Sequence, residues 1–420
     1  MSFQQGLSGL NASSKNLEVI GNNVANANTF GSKASRAEFA DMYASAIGLG
    51  GTSNIGIGTQ LAAVAQQFSQ GNLTATDNPL DLAINGAGFF QVTGNAGAPE
   101  YTRNGQFKVN RDGFIVNNQQ QRLMGYTADA TGAIQSGKAK ALQMPTAGIT
   151  PSSSTKIMME LNLDARSQVT LPAAGAPIVF TDPKTYNNAT SVTVFDAKGQ
   201  EVALTYYFQK AATDQWNVYV TANGTPIKTA GGNPAASTSL TFPANGGAPT
   251  APVGTVSLDI PAVTNAVGAV TVPITGIALT LSGATQYGSQ FGVTDLSQDG
   301  YAAGQLIGIQ FETNGIVTAR YSNGQSKPAG QVEIANFRNP QGLQPQGGNA
   351  WNASVASGDP IVGVPGDGGL GGLQSGSLEE SNTDLTAELV NMIVAQRVYQ
   401  ANAQTIKTQD QLMQTIVNLR

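Results

Sequence analysis

The sequence predicts a mainly β protein with α-helical N- and C-terminal segments. Three observations carry that expectation. Each end of the 420-residue chain has an apolar period close to 3.5 residues. Between them the period falls to two, punctuated by Asn-Gly and Asp-Gly pairs that mark turns. The composition is rich in glycine, with 50 residues, and only 11% of the chain is charged, against about 25% in an average soluble domain.

The N-terminal stretch 1–30 comes first. Phe3, Leu7, Leu10, Leu17 and Val24 recur at alternating four- and three-residue steps, with Ser14 and Gly21 in the two vacant slots. This spacing is that of a helix whose seam packs on another helix. An amphipathic helix of this length draws its stability from packing, so it needs a partner. The other end supplies a candidate. Leu385, Leu389, Met392, Gln396, Tyr399, Ala403, Ile406, Asp410, Met413 and Val417 step by four and three, and all but Gln396 and Asp410 are apolar. Ser381, Asn382 and Asp384 offer capping oxygens at its start. Such a helix would be about 50 Å long at about 1.5 Å per residue. The two helices could each pack on a globular core, or form a coiled coil within one chain or between copies.

From 31 to 70 the pattern loosens. Phe39, Met42 and Tyr43 suggest a short helical turn, and the glycines of IGLGGTSNIGIG break it, so this reads as an irregular connector. Leu80, Leu82 and Ile84 then alternate with Asp81 and Ala83 as a half-buried strand ending at Asn85-Gly86. Phe89–Val92 continues as a strand, and Asp112-Gly113 joins Phe107–Val109 to Phe114–Val116 as a hairpin. A Pro/Ser/Thr/Gly shift at 144–154 marks a crossing point. The middle, 151–298, reads as a β-sandwich or barrel, with a meander through Ser191–Phe195, the turn Asp196–Gly199, Val202–Phe208 and Trp216–Val220. Strands resume at Leu306–Phe311, Ile316–Tyr321 and Val332–Ala335, and a Gly-rich tract, 363–376, leads as a linker to the last helix.

Composition excludes several kinds of chemistry. The chain has neither cysteine nor histidine, which removes disulfides, thiolates and the commonest general base and metal ligand. A net charge of -5 provides no electrostatic footprint for nucleic acid. No run of about 18 apolar residues suggests membrane insertion, and no basic n-region suggests a cleaved secretory signal. Asp77 with Asp81 reads as turn structure rather than paired catalytic carboxylates. Asp295 and Asp299 lack the ligand spacing of an EF-hand. Tyr206, Tyr207, Trp216 and Tyr219 could form a carbohydrate platform, although strand alternation sends Tyr206 and Tyr207 to opposite faces. No catalytic residue, cofactor or metal site is expected.

Several stretches together resemble the flagellar axial proteins, most closely the hook proteins. They are GLSGLNASSKNLEVIGNNVANANTFGSKAS, NPLDLAINGAGFFQV at 78–92, YTRNGQFKVNRDGFIVNNQQQRLMGY at 101–126, VEIANFRNPQGLQPQGGNAW, and the final GSLEESNTDLTAELVNMIVAQRVYQANAQTIKTQDQLMQTIVNLR. Together they span roughly half of the chain. Ser32 departs from the aromatic common there. The resemblance implies a structural subunit, not an enzyme, that polymerises into a curved flexible tube joining rod to filament and transmitting torque as a universal joint. It implies nested discontinuous β domains plus terminal coiled-coil helices: 1–30 with 381–420 as the inner tube, connectors at 31–70 and 359–380, a discontinuous β domain from 71–150 and 299–358, and an inserted outer domain at 151–298. The polymer seam would then be Phe3, Leu7, Leu10, Leu17, Val24, Leu385, Leu389, Met392, Tyr399, Ile406, Met413 and Val417. Implied partners are further copies of the chain, rod proteins, the hook cap, hook–filament junction proteins and the flagellar type III export apparatus, with an extracellular location at the flagellar basal body. A distal rod or hook-associated axial protein, and a secreted β-rich glycan-binding protein, remain the competing readings.

Overall fold

The computed structural model describes residues 2–42, 56–94, 97–129, 131–135, 137–170, 178–265 and 267–418. The chain divides into two compact units. The first comprises Met1–Thr146, Gly308–Arg320 and Ser326–Arg420, and the second Ala147–Ile307 with Tyr321–Gln325.

The second unit is a sandwich of two five-stranded sheets. One runs through Asn188–Phe195, Glu201–Ala212 and Gln215–Ala222 as an antiparallel meander, with Thr225–Pro226 and Thr238–Thr241 beside the last strand. The other is built around Lys156–Asp164, which lies parallel to Ile274–Thr280 and Thr285–Tyr287 and antiparallel to Gly292–Gln298. Alternation explains why these segments are strands. In Glu201–Phe208 every second side chain, Val202, Leu204, Tyr206 and Phe208, is fully buried, the pattern of a sheet with one face on a core. Those side chains meet Ile157, Met159, Leu161 and Leu163 of the facing sheet in a single apolar cluster. The turn after Phe195 is closed by the buried Asp196 carboxylate, which accepts N–H bonds from Lys198, Gln200 and Val272, each at 2.8 Å.

The first unit holds two smaller cores on opposite faces of shared strands. In Phe89–Thr93, Phe90 and Val92 join Leu82, Ile84, Leu123 and Ile334, whereas Phe89 points the other way to Tyr101, Phe337 and Trp351. Strand periodicity makes this division unavoidable once both neighbouring residues are aromatic. The Asp112-Gly113 hairpin forms, with Lys108–Val109 paired to Ile115–Val116.

Three expectations need correction. The stretch 31–70 is not an irregular connector with a helical turn. Strands β1 (Ser35–Met42) and β2 (Gly58–Gln66) pair antiparallel, with a bulge at Glu38/Phe39; Tyr43 lies outside the described residues. The tract 359–380 is not simply a linker either. Gly372–Ser375 pairs with Leu82–Asn85, and Ser377–Glu379 with Leu73–Ala75. Each of these short strands buries one leucine, Leu373 or Leu378, and backbone pairing does the rest. Ala83 is as buried as Leu82 and Ile84, so that strand is covered on both faces rather than half-buried.

Candidate interface: the paired terminal helices and their roots

Two helices complete the first unit: α1 (Ser2–Ala25) and α2 (Leu385–Asn418). They pack side by side and antiparallel, with early α1 beside late α2. The Asn402 amide donates to Ser13 Oγ at 3.5 Å, and the Asn23 amide to Glu388 Oε1 at 3.1 Å. A methyl group on Gly6 would stand 3.0 Å from Ile406 Cγ1, and one on Gly9 2.9 Å from the Asn402 amide. Small residues therefore set the closeness of the crossing.

The face that α1 turns to α2 is not its apolar stripe. Gly6, Ser13 and Ile20 are buried at seven-residue steps, and Gly9, Asn16 and Asn23 repeat at the same interval beside them. Ser13 is 7% and Asn23 3% exposed. Leu7, Leu10, Leu17 and Val24 each stand one residue further along. At 3.6 residues per turn that is a rotation of about 100°. Phe3 and Leu7 are consequently exposed, Leu7 at 44%, and Leu10, Leu17 and Val24 are half-buried. On α2 the pairing face steps through Glu388, Ala395 and Asn402, and Met392 and Ile406 are half-buried. Leu385, Leu389, Tyr399 and Met413 remain exposed, together with Val390, Ile393, Val394 and Val398. The Val417 side chain lies outside the described residues.

Hairpin β1–β2 supports α1 from a second side. The Asn23 amide makes a reciprocal pair with the Ser35 backbone, 2.8 Å in each direction. Thr59 N–H donates to Ser8 Oγ at 3.3 Å, and the Gln5 amide to the Gly56 carbonyl at 2.6 Å. Asn23 thereby pins the end of the helix to a strand. Phe39, Leu61 and Val64 on the hairpin are exposed.

Both helices are rooted in one buried polar cluster. Glu379, just before α2, accepts from Lys33 Nζ at 2.5 Å on Oε1 and from Arg103 Nη1 at 2.9 Å on Oε2. Oε1 also accepts the Gly71 N–H at 3.0 Å, and the Glu379 carbonyl takes the Gly31 N–H at 2.8 Å. Lys33 gives a further bond to the Ser69 carbonyl, and Arg103 to those of Ile84 and Gly86. Burial holds the Lys33 ammonium and the Arg103 guanidinium below their usual ranges, with Glu379 pulling each back up. Gly31 sits at φ +71°, and a side chain there would meet Asn104 N at 2.4 Å, so both conformation and space require glycine. Asp384 caps α2, accepting from the Thr386 and Ala387 N–H groups. Asn382 is not a cap. Its Oδ1 accepts the Ala34 N–H at 2.8 Å, and its amide donates to the Gln67 carbonyl at 2.7 Å.

The remaining candidates are accounted for by local structure. Asp81 accepts from Thr76 and Asn78. Asp299 is engaged by Thr155 and the Lys156 N–H. The four-residue aromatic platform does not form. Tyr206 and Trp216 are fully buried, Trp216 Nε1 donating to Gln286 Oε1 at 2.9 Å. Tyr207 faces Phe180 and Tyr186, at ring distances of 4.7 and 4.9 Å. Sequence reasoning missed Lys33, Arg103 and Glu379, because nothing distinguishes a buried charge from a solvated one in a single sequence.

Comparison with known proteins gives the family of the chain. Four family models match: the flagella basal body rod protein at 3–33, the flagellar hook protein FlgE/F/G D1 domain at 83–200, the flagellar basal body protein FlaE D2 domain at 162–301, and the flagellar basal body rod FlgEFG protein C-terminal at 374–419. The chain is 40% identical to the flagellar hook protein FlgE of Salmonella typhimurium over 422 residues, covering all of both chains. It is 32% identical to that of Brucella suis over 423 residues, covering all of this chain and 98% of the relative. The crystal structure of Helicobacter pylori flagellar hook protein FlgE2 superposes with a TM-score of 0.54 at 15% identity, over 73% of this chain and 100% of that one, a likeness of fold. With its whole length matched by these relatives, the chain belongs to the flagellar hook protein FlgE family.

Proposed function

We propose that copies of this chain polymerise through their terminal helices into the curved, flexible tube of the hook, which joins rod to filament and transmits torque as a universal joint. The observation that carries this reading is the one-residue offset on α1. The intrachain helix pair buries a face of glycine, serine and asparagine with a single isoleucine, Ile20, on α1, and leaves Phe3, Leu7, Leu385, Leu389 and Met413 open to solvent. A chain that folded only for itself would gain about 1 kcal/mol for each such leucine by turning its open half inward. Leaving this stripe outward suits a helix pair whose second face meets other copies, and head-to-tail contacts that do not close generate helical arrays.

In this reading Phe3, Leu7, Leu10, Leu17, Val24, Leu385, Leu389, Met392, Tyr399, Met413 and Val417 form the seam between subunits, whereas Ile406, expected there from its spacing, packs beside Gly6 on the face between α1 and α2 of one chain. The regions 1–30 and 381–420 line the inner tube, 71–150 with 299–358 form the discontinuous domain around it, and 151–298 stands outermost. Rod proteins, the hook cap, hook–filament junction proteins and the flagellar type III export apparatus are the further partners, and export proceeds without signal cleavage. Support for a structural rather than catalytic role comes from the family and from a chain without histidine or cysteine. Electron microscopy of the purified full-length chain under polymerising conditions tests the reading. Curved tubes are expected, and a chain that stays monomeric at every concentration would overturn it.

A further inference from the structure

The Lys33–Glu379–Arg103 cluster joins three distant parts of the chain around one carboxylate. Lys33 follows the exit from α1, Glu379 precedes the entry to α2, and Arg103 belongs to the β body between them. It sets two cations against one anion, all three nearly solvent-free. Arg103 Nε finds no acceptor among the described residues. Removing water from three charges is costly, and apolar side chains of similar volume commonly serve stability as well or better. What apolar packing does not supply is direction: the hydrophobic effect is non-directional, whereas these hydrogen bonds fix Lys33 and Glu379 to within hydrogen-bonding reach of named atoms.

We propose that the triad is a positioning device: Glu379 fixes the direction in which both terminal helices leave the β body, and the cluster serves that geometry rather than stability. Both cations act on the same carboxylate, so twisting load on the helix pair passes into the body through Lys33 and Arg103 together. A shift of either root moves the other, because the Gly31 N–H is bound to the carbonyl of Glu379 itself. The inference rests on the reading that copies assemble through these helices. Its main readout, however, is made on the free chain.

The test uses the full-length protein and its lack of cysteine, which allows nitroxide labels at Lys15→Cys on α1 and Lys108→Cys on the body, both exposed. Four proteins are compared: wild type, Glu379→Gln, Lys33→Met, and the triple variant Lys33→Met/Arg103→Met/Glu379→Leu. Pulsed electron paramagnetic resonance gives the label-to-label distance distribution, calorimetry the melting temperature, and pelleting the concentration at which tubes form. Glu379→Gln, which leaves two buried cations unpaired, should lower the melting temperature by about 10 °C. Lys33→Met keeps the balanced Glu379–Arg103 pair and should melt within a few degrees of wild type, yet broaden the distance distribution and raise the tube-forming concentration at least about tenfold. The triple variant should do the same. A narrow, wild-type distance distribution in Lys33→Met overturns the proposal, even if the triple variant fails to fold. If wild type itself forms no tubes, the assembly reading falls, while the distance distributions still decide the role of the triad.

Discussion

Replacing Leu389 by Asp should abolish assembly while sparing the folded chain. Leu389 is 44% exposed in the single chain. Full burial of a leucine is worth about 2 kcal/mol, so the remaining open surface offers about 1 kcal/mol per copy on assembly. An aspartate forfeits that gain and places a carboxylate in the seam, at a cost of several kcal/mol. A total near 4 kcal/mol corresponds to about a thousandfold rise in the tube-forming concentration, at about 1.4 kcal/mol per factor of ten. In the free chain the same aspartate stays partly solvated and forfeits the burial already present, about 1 kcal/mol, with about 0.5 kcal/mol of helix propensity, so the melting temperature should fall by only about 3–6 °C. Leu389→Ala should lose only the burial term and shift the concentration about fivefold. Pelleting across a concentration series, with melting curves on the same samples, separates the two effects. A tube-forming concentration for Leu389→Asp within twofold of wild type would refute the seam assignment.

Gly31→Ala should lower the stability of the first unit by about 2–3 kcal/mol, because a methyl group at φ +71° costs about 1–2 kcal/mol and would also collide with Asn104 N at 2.4 Å; thermal melting reads the loss. Glu333 is buried, and burial raises its pKa above the usual carboxylate range, against the Tyr126 hydroxyl bond that lowers it. The folded chain thus holds this proton more tightly than the unfolded one, and its contribution to stability is complete below about pH 4.3, the unfolded value, and is lost as pH rises through the folded value. Glu333→Gln should therefore raise the melting temperature near pH 7, with a difference that vanishes towards pH 4; an unchanged difference across that range would contradict the assignment. Trp216→Phe should cost the second unit about 3 kcal/mol, since the buried Gln286 Oε1 loses its donor at 2.9 Å and the core loses volume, a fall measurable by calorimetry.

The parts of the fold that were legible in the sequence are those whose burial follows a period. The middle sandwich announces itself because Val202, Leu204, Tyr206 and Phe208 alternate with side chains on the opposite face. The apolar stripes of α1 and α2 are legible as a period of residue type, although the single chain leaves much of them open. Hairpin β1–β2 did not, because β1 is bulged at Glu38/Phe39 and β2 is exposed along most of its length, so no alternation of burial shaped its sequence. The strands Gly372–Ser375 and Ser377–Glu379 bury one leucine each, too little for a pattern, and glycine-rich flanks make them look like linker. The helix–helix face was hidden for a different reason: Gly6, Gly9, Ser13 and Asn23 make the close crossing, and apolar periodicity has no means of detecting a face made of small and polar residues. The root cluster draws on positions 33, 71, 103 and 379, a grouping that only the fold creates.

The measurement that tests the central claim most directly is thiol accessibility on the two faces of α1. In the cysteine-free chain, Leu7→Cys occupies the outward stripe and Ser13→Cys the intrachain seam, positions 44% and 7% exposed. In the free chain, maleimide labelling should be fast at Leu7→Cys and slow at Ser13→Cys. In tubes, Leu7→Cys should become protected at least about tenfold while Ser13→Cys changes little. Equal reactivity of Leu7→Cys in tubes and in free chain would contradict the claim that this face is reserved for other copies.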